Sequence, residues 1–283
     1  MARRNVLLFI QRGLMLFINI LKYISLFLII SIIGLYSFVE YRIFQFNKNS
    51  IDIIAHAGGQ IDGHIYTNSL EALNNSYNEG AKIFELDIRE TKDGYYVGTH
   101  DWKTWAQQTG YSGELPPNLE EFKRYKILNK YTAMSFEDIN NWFLSHPDVV
   151  FITDKVDKPL KMVNLFYDKS KIKMELFSKK SMRMGGGIFD GAMANYYSLS
   201  QITKTLLVKY DFISMIEFFK KNNLKYVVAG KPFSYEDKFK LKLIRLNGIK
   251  IYMYLFGTND EITQQVIEYP SYLDGVYYNK IPN

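Results

Sequence analysis

The 283-residue chain is 47% hydrophobic, carries a formal net charge of +6 and has no cysteine. The missing thiols exclude disulfides and cysteine-ligated zinc. Scattered basic residues without a long Lys/Arg run or a recognition motif argue against nucleic acid as a partner. The positive excess suits a membrane surface or an anionic substrate, although on charge alone a solvated basic surface is the simpler reading.

Residues 1–22 set Arg3, Arg4, Arg12 and Lys22 among apolar side chains, and residues 23–39 carry no charge. With its apolar neighbours upstream, this stretch is long enough to cross a bilayer as a helix, which takes ~20 residues. Tyr23, Tyr36 and Tyr41 are placed for the two interfaces, and Glu40 and Arg42 end the span. The expected organisation is a basic cytoplasmic N-terminus at 1–22, a transmembrane anchor at 23–42, a tether at 43–50 and one domain at 51–283. The excess of positive charge before the span puts the N-terminus in the cytoplasm and the domain outside it. A cleaved signal peptide is the alternative. The long apolar core and the lack of a small-x-small site favour an uncleaved anchor.

Ile51–Ala55 reads as a buried strand ending in a turn, His56-Ala57-Gly58-Gly59. Asn68 or Ser69 caps a helix that stops at Gly80. Lys82–Ile88 and Tyr95–Thr99 read as strands joined by the turn Lys92-Asp93-Gly94, and residues 102–114 as a loop. Helices are expected at 119–125 and, behind a capping-box pattern at Ser135–Asp138, to about 145. Strands follow at 149–153 and 172–177, with a helix at 160–169 between them. Residues 178–210, with several glycines and mixed aromatics, read as irregular, with a helix possible only after Ser200. The remainder alternates helix 211–222, strand 226–229, helix 235–247, strand 249–255, helix 259–268 and strand 275–278.

Eight apolar strands alternating with helices over about 230 residues argue an α/β fold with a parallel sheet. That length suits a (β/α)8 TIM-type barrel behind one N-terminal transmembrane helix, with its site at the C-terminal ends of the strands. A doubly wound open sheet is the runner-up, but no Gly-rich phosphate loop follows the first strand. His56, Glu85, Asp87, His100 and Asp154 stand at or near strand ends. Glu85 and Asp87, two apart on a strand, share a face. Two carboxylates on one apolar face repel unless a cation or proton lies between them, so a divalent metal site is the first hypothesis.

These residues resemble the glycerophosphodiester phosphodiesterase family, within the phosphatidylinositol-phospholipase-C-like group, in a branch with a His-Ala-Gly-Gly first turn. The pattern is carried by His56-Ala57-Gly58, Asn68-Ser69, Glu85-Leu86-Asp87, Thr91-Lys92-Asp93-Gly94 and His100-Asp101, in family order and at similar spacing. Near the C-terminus, Asn259-Asp260 and Asp274-Gly275-Val276 match in style, so the resemblance covers about residues 51–279. It implies Glu85, Asp87 and Asp154 as ligands of Ca²⁺ or Mg²⁺, and His56 and His100 as the acid/base pair. Two departures matter. The family's phosphate-binding Arg after the first His is Ala57 here. The Lys expected two residues after the third carboxylate is Val156, which leaves Lys155, Lys158 or Lys231 as candidate phosphate cations. Tyr254 is a further candidate for substrate stacking, against the simpler reading of barrel packing.

The resemblance implies metal-dependent hydrolysis of glycerophosphodiester-type substrates, derived from lipids or from envelope polymers. The alternatives are a lyase or phosphotransferase that stops at a cyclic phosphate, and a non-catalytic barrel that binds a phosphoglycan. An acid/base pair has no use in mere binding, which favours the enzyme readings.

Overall fold

The computed structural model describes residues 2–46, 51–202, 212–231, 234–255, 257–268 and 272–282. The chain forms two compact units, Met1–Asn47 and Lys48–Asn283. In the first, residues Ala2–Phe44 form one continuous helix of 43 residues, which takes in the segments expected as basic N-terminus and anchor. Its apolar part, Arg12–Phe44, has 33 residues. At 1.5 Å per residue that exceeds the ~30 Å of a bilayer's hydrocarbon core. By length and composition it is a candidate membrane span. The helix runs two residues into the expected tether, of which residues 47–50 lie outside the described residues.

The second unit is a closed parallel barrel. Its strands, with those of the excursion between them, are β1 (Asp52–Ala55), β2 (Ile83–Glu90), β3 (Tyr96–Gly98), β4 (Lys126–Ile127), β5 (Tyr131–Thr132), β6 (Val150–Asp154), β7 (Ile172–Leu176), β8 (Ala192–Asn195), β9 (Tyr226–Gly230), β10 (Lys250–Tyr254) and β11 (Gly275–Tyr278). The ring runs β1-β2-β6-β7-β8-β9-β10-β11, and β11 pairs with β1 to close it. Closure removes every edge from the eight staves, and the crossover helices cover the outside. The interior is filled by Ile54, Ile152, Met193, Val228, Tyr252 and Tyr277, each from a different stave.

Between β2 and β6 the chain makes an excursion with an aromatic core of its own. Trp105 stacks on Phe122 at 5.2 Å between ring centroids, and Val97, Ile127, Tyr131 and Ala133 pack around them. Here two expectations are corrected. The strand at Tyr95–Thr99 is not a stave: β3 runs antiparallel to β2, outside the ring. Residues 102–114 are not all loop, because Asp101 caps a helix over Trp102–Thr109 by accepting from the Thr104 N–H at 2.8 Å.

The eighth stave lies where the sequence reads as irregular. Residues 178–210 contain a helix, Lys179–Ile188, capped by Ser178, and then β8. The run Gly185-Gly186-Gly187 does not break this helix. A Cβ on Gly186 would lie 1.7 Å from the carbonyl oxygen of Asn222, so the missing side chain permits close approach of a neighbouring segment.

Candidate active site

Residues on or just after β1, β2, β3, β6, β7, β8, β10 and β11 line a cavity of about 230 Å³ at one end of the barrel. The first turn sets the geometry. After Ala55 the backbone enters a tight turn over His56–Gly58 in which Ala57 takes φ 51°, Gly58 φ 82° and Gly59 φ 92°. A side chain at Gly59 would collide with Ser76, its Cβ 1.9 Å from Oγ, so glycine is required there for conformation and for space. The turn aims the Ala57 N–H at Glu85 Oε2, 2.9 Å away. It also projects His56 into the cavity.

Glu85 and Asp87 point inward from β2, and both are almost fully buried. The β2–β6 register sets Asp87 beside Asp154. Ligand oxygens of Glu85, Asp87 and Asp154 lie within 4.8 Å of one another. Asn68 holds Asp87 in place from two sides: its Nδ2 donates to Oδ2 at 3.0 Å, and its Oδ1 accepts from the Asp87 N–H at 2.9 Å. Burial pushes the Glu85 carboxyl well above the usual range, and the charges of Asp87 and Asp154 add to the shift. Glu85 Oε1 is buried without a hydrogen-bond partner. An unsatisfied carboxylate oxygen facing two other carboxylates is what a hard divalent cation would complete. The donor set therefore fits such an ion, held by Glu85, Asp87 and Asp154.

Lys155 already brings a positive charge to this cluster. Its Nζ lies 2.5 Å from Asp154 Oδ2 and 3.7 Å from Asp87 Oδ1. Its backbone stands at φ 66°, in a region that costs a non-glycine residue some strain. Burial opposes its charge, but Asp154, Asp87 and Glu85 outweigh it and hold the ammonium charged beyond ordinary lysine. Lys155 thus brings a cation to the cavity in a chain that has Ala57 where the family has arginine. Lys231 is exposed and lines a separate groove with Gly257 and Glu261. Lys158 pairs with Glu90 on the surface.

The two histidines are fixed alike. His56 Nδ1 lies 3.1 Å from Asn279 Oδ1, and His100 Nδ1 lies 2.8 Å from Asp101 Oδ2. Both partners are acceptors, which places the proton on Nδ1 and leaves each Nε2 for the cavity. Burial lowers the His56 pKa; the Asp87 charge and the Asn279 bond oppose this in part. Burial works against Asp101 ionising as well. There the Thr104 N–H, the His100 ring and the Thr104 hydroxyl prevail and hold the carboxyl below the usual range. Tyr66 stands between the two imidazoles, its ring centroid 4.8 Å from His56 and 5.2 Å from His100.

The structure thus brings together His56, Glu85, Asp87, His100, Asp154, Lys155 and Tyr254. Sequence reasoning misses Glu175, Asn195 and Tyr277, which line the same cavity, and the positioning roles of Asn68, Asn279 and Tyr66. Asn279 follows the last stave directly, and that position is itself a signal. Asn195 is hidden because its strand is.

Residues 57–185 match the glycerophosphoryl diester phosphodiesterase family. The family match, the curated relative and the structural neighbours below all point to this family. Members of the family are phosphoric diester hydrolases that depend on a divalent cation. Lysophospholipase D GDPD3 of Mus musculus is 28% identical over 149 residues, a match covering 47% of this chain and 44% of that protein. The chain therefore matches less than half the length of that relative. Solved structures share the fold at low identity. A glycerophosphoryl diester phosphodiesterase from Parabacteroides distasonis has a TM-score of 0.62 at 18% identity, covering 84% of this chain and 87% of its own. The Thermotoga maritima glycerophosphodiester phosphodiesterase has a TM-score of 0.60 at 18% identity, over 83% and 96% of the two chains. A phosphodiesterase from Oleispira antarctica, in complex with the product sn-glycerol-3-phosphate, has a TM-score of 0.60 at 16% identity, over 81% and 92%.

Proposed function

We propose that this chain is a membrane-anchored, divalent-cation-dependent phosphodiesterase acting on glycerophosphodiester-type substrates, lipid-derived or from an envelope polymer. The observation that carries the reading is the pair of imidazoles beside the carboxylate cluster, each with Nδ1 bound to an acceptor, and with His56 Nε2 3.8 Å from Glu85 Oε2.

Ca²⁺ or Mg²⁺ at Glu85, Asp87 and Asp154 would neutralise the phosphodiester and polarise its P–O bonds. Lys155 supplies the second positive charge to the phosphate. His56 has a neutral amide as its partner and is buried, so it favours the uncharged imidazole that a general base needs. It takes a proton from the attacking hydroxyl at Nε2 as the new O–P bond forms. His100 is held through Nδ1 by the Asp101 carboxylate, which turns its Nε2 to the leaving group. It gives the Nε2 proton to the leaving alkoxide as the old P–O bond breaks. If the attacking hydroxyl belongs to the substrate, the first product is a cyclic phosphate; if it is water, the diester is hydrolysed directly. With Arg3, Arg4, Arg12 and Lys22 ahead of or early in the candidate span, the catalytic unit faces away from the cytoplasm.

The test is turnover of glycerophosphodiesters by the purified full-length protein in detergent, with products followed by phosphorus NMR. The reading predicts a phosphomonoester and a free alcohol; a cyclic phosphate that persists would assign a lyase instead. Failure to cleave any diester with Ca²⁺ or Mg²⁺ present would contradict it.

A further inference from the structure

The segment between the first turn and the helix Leu70–Asn78 is held in a costly backbone conformation. Asp62, Tyr66 and Asn68 stand at φ 50°, 58° and 47°. Aspartate and asparagine visit this region readily, because a short polar side chain bonds locally, but a tyrosine there is strained. Asp62 and Gly63 make the turn of a narrow hairpin in which Ile61 and His64 exchange N–H to carbonyl bonds of 3.0 and 2.8 Å. Asp62 ties this hairpin to the excursion. Its Oδ2 accepts from the Lys130 ammonium and, at 2.8 Å, from the hydroxyl of Tyr131, a member of the excursion's aromatic core. On the other side of Tyr66, the Asn68 N–H donates to the Ala57 carbonyl at 3.2 Å, and Ser69 caps the helix. Tyr66 is therefore braced from both directions in a conformation it would not choose.

The strain delivers a ring to the cavity. Tyr66 meets both imidazoles edge to face, at interplanar angles of 76° to His56 and 71° to His100. The two histidines come from separate parts of the fold, the end of β1 and the excursion after β3. The Nδ1 bond of each fixes one ring atom and leaves the ring plane free to swing about it; an edge-to-face neighbour fixes the plane. His56 has a second such neighbour in Tyr277, 5.9 Å away. Among the described residues, His100 has Tyr66 alone. We propose that Tyr66 is a positioning residue, a wedge whose ring sets the planes and the separation of His56 and His100. Its consequence for turnover rests on the phosphodiesterase reading; its effect on the imidazoles does not.

The experiment uses the full-length protein in detergent and the variants Tyr66→Phe, Tyr66→Leu and Tyr66→Gly. Turnover of bis(p-nitrophenyl) phosphate with Ca²⁺ or Mg²⁺ gives kcat and KM. Displacing a reacting group by about 1 Å can cost about 10²-fold, so Tyr66→Leu should lose about 10- to 100-fold, mainly in kcat. Tyr66→Phe keeps the ring and should recover most of that loss. Tyr66→Gly should be as slow as Tyr66→Leu and yet melt at a higher temperature, because glycine adopts this φ without strain.

Nitrogen NMR of ¹⁵N-histidine-labelled protein at fixed pH reads the imidazoles without turnover. The His100 signals should shift or broaden in the leucine and glycine variants, those of His56 less so, and the phenylalanine variant should resemble wild type. His146, stacked on Trp142 at 4.1 Å, is the internal control. If the wild type cleaves no diester, the phosphodiesterase reading falls and the spectra alone decide the wedge. Unmoved imidazole signals in Tyr66→Leu, a phenylalanine variant as slow as the leucine one, a loss confined to KM, or a kcat that tracks melting temperature across the variants would overturn the proposal.

Discussion

The Nδ1 of His100 lies 2.8 Å from the Oδ2 of Asp101, and the same aspartate caps the next helix through its Oδ1. One side chain therefore sets both the tautomer of a cavity histidine and the start of the helix behind it. Asp101→Asn separates the two roles. Asparagine caps as well as aspartate, so unfolding stability should change by less than about 1 kcal/mol. Its amide N–H₂ in place of Oδ2 would face the His100 Nδ1–H and favour the wrong tautomer. We expect kcat to fall by about 10²-fold or more. Thermal unfolding and steady-state kinetics measure the two effects separately.

Asn68 touches none of the reacting groups in this account, yet it fixes Asp87 through two hydrogen bonds. Removing such an outer partner typically weakens metal affinity by about 10- to 100-fold. Asn68→Ala should show that loss in calorimetric titration with Ca²⁺ or Mg²⁺. An affinity equal to wild type would mean that Asp87 needs no clamp.

Lys155 should act in opposite directions on the two ligands of the site. Its ammonium repels a divalent ion at the carboxylates it contacts and attracts the phosphodiester. Lys155→Met is expected to bind the ion more tightly, by about tenfold or more, and to raise KM for the diester. If both ligands bound more weakly, Lys155 would be organising the cavity and not balancing its charge.

Glu175 gives a stability test with a defined sign. Its folded-state pKa of about 8 lies above the ordinary 4.5, so the folded protein holds a proton that the unfolded chain has released between those values. The stabilisation is fully present below pH ~4.5 and is lost as pH rises toward ~8. In chelator, the melting temperature of Glu175→Gln should fall less from pH ~5 to ~8 than that of wild type. Parallel curves would place the Glu175 titration elsewhere.

Most of the barrel and the carboxylate cluster of the candidate site are legible in the sequence, because they rest on local patterns. Buried parallel strands read as apolar runs, and the Glu85-Leu86-Asp87 alternation puts two carboxylates on one face. The unread parts depend on contacts distant in sequence. The helix Lys179–Ile188 carries three consecutive glycines that look like punctuation, yet Gly186 is small because Asn222 passes against it. With that helix unread, β8 and Asn195 are unread too, and the strand at Tyr95–Thr99 stands in for the missing stave. Glu175 has no local signal: that a single glutamate in an apolar strand lines the cavity is seen only once Asn195, from the unread strand, hydrogen-bonds to it.

The most direct measurement of the central claim is phosphodiester turnover by the full-length protein through chelation and add-back of Ca²⁺ or Mg²⁺, with Glu85→Gln and His56→Gln alongside. The account predicts that chelator abolishes wild-type turnover, that the ion restores it, and that neither variant recovers. Turnover that survives chelation, or a Glu85→Gln variant as active as wild type, would contradict it.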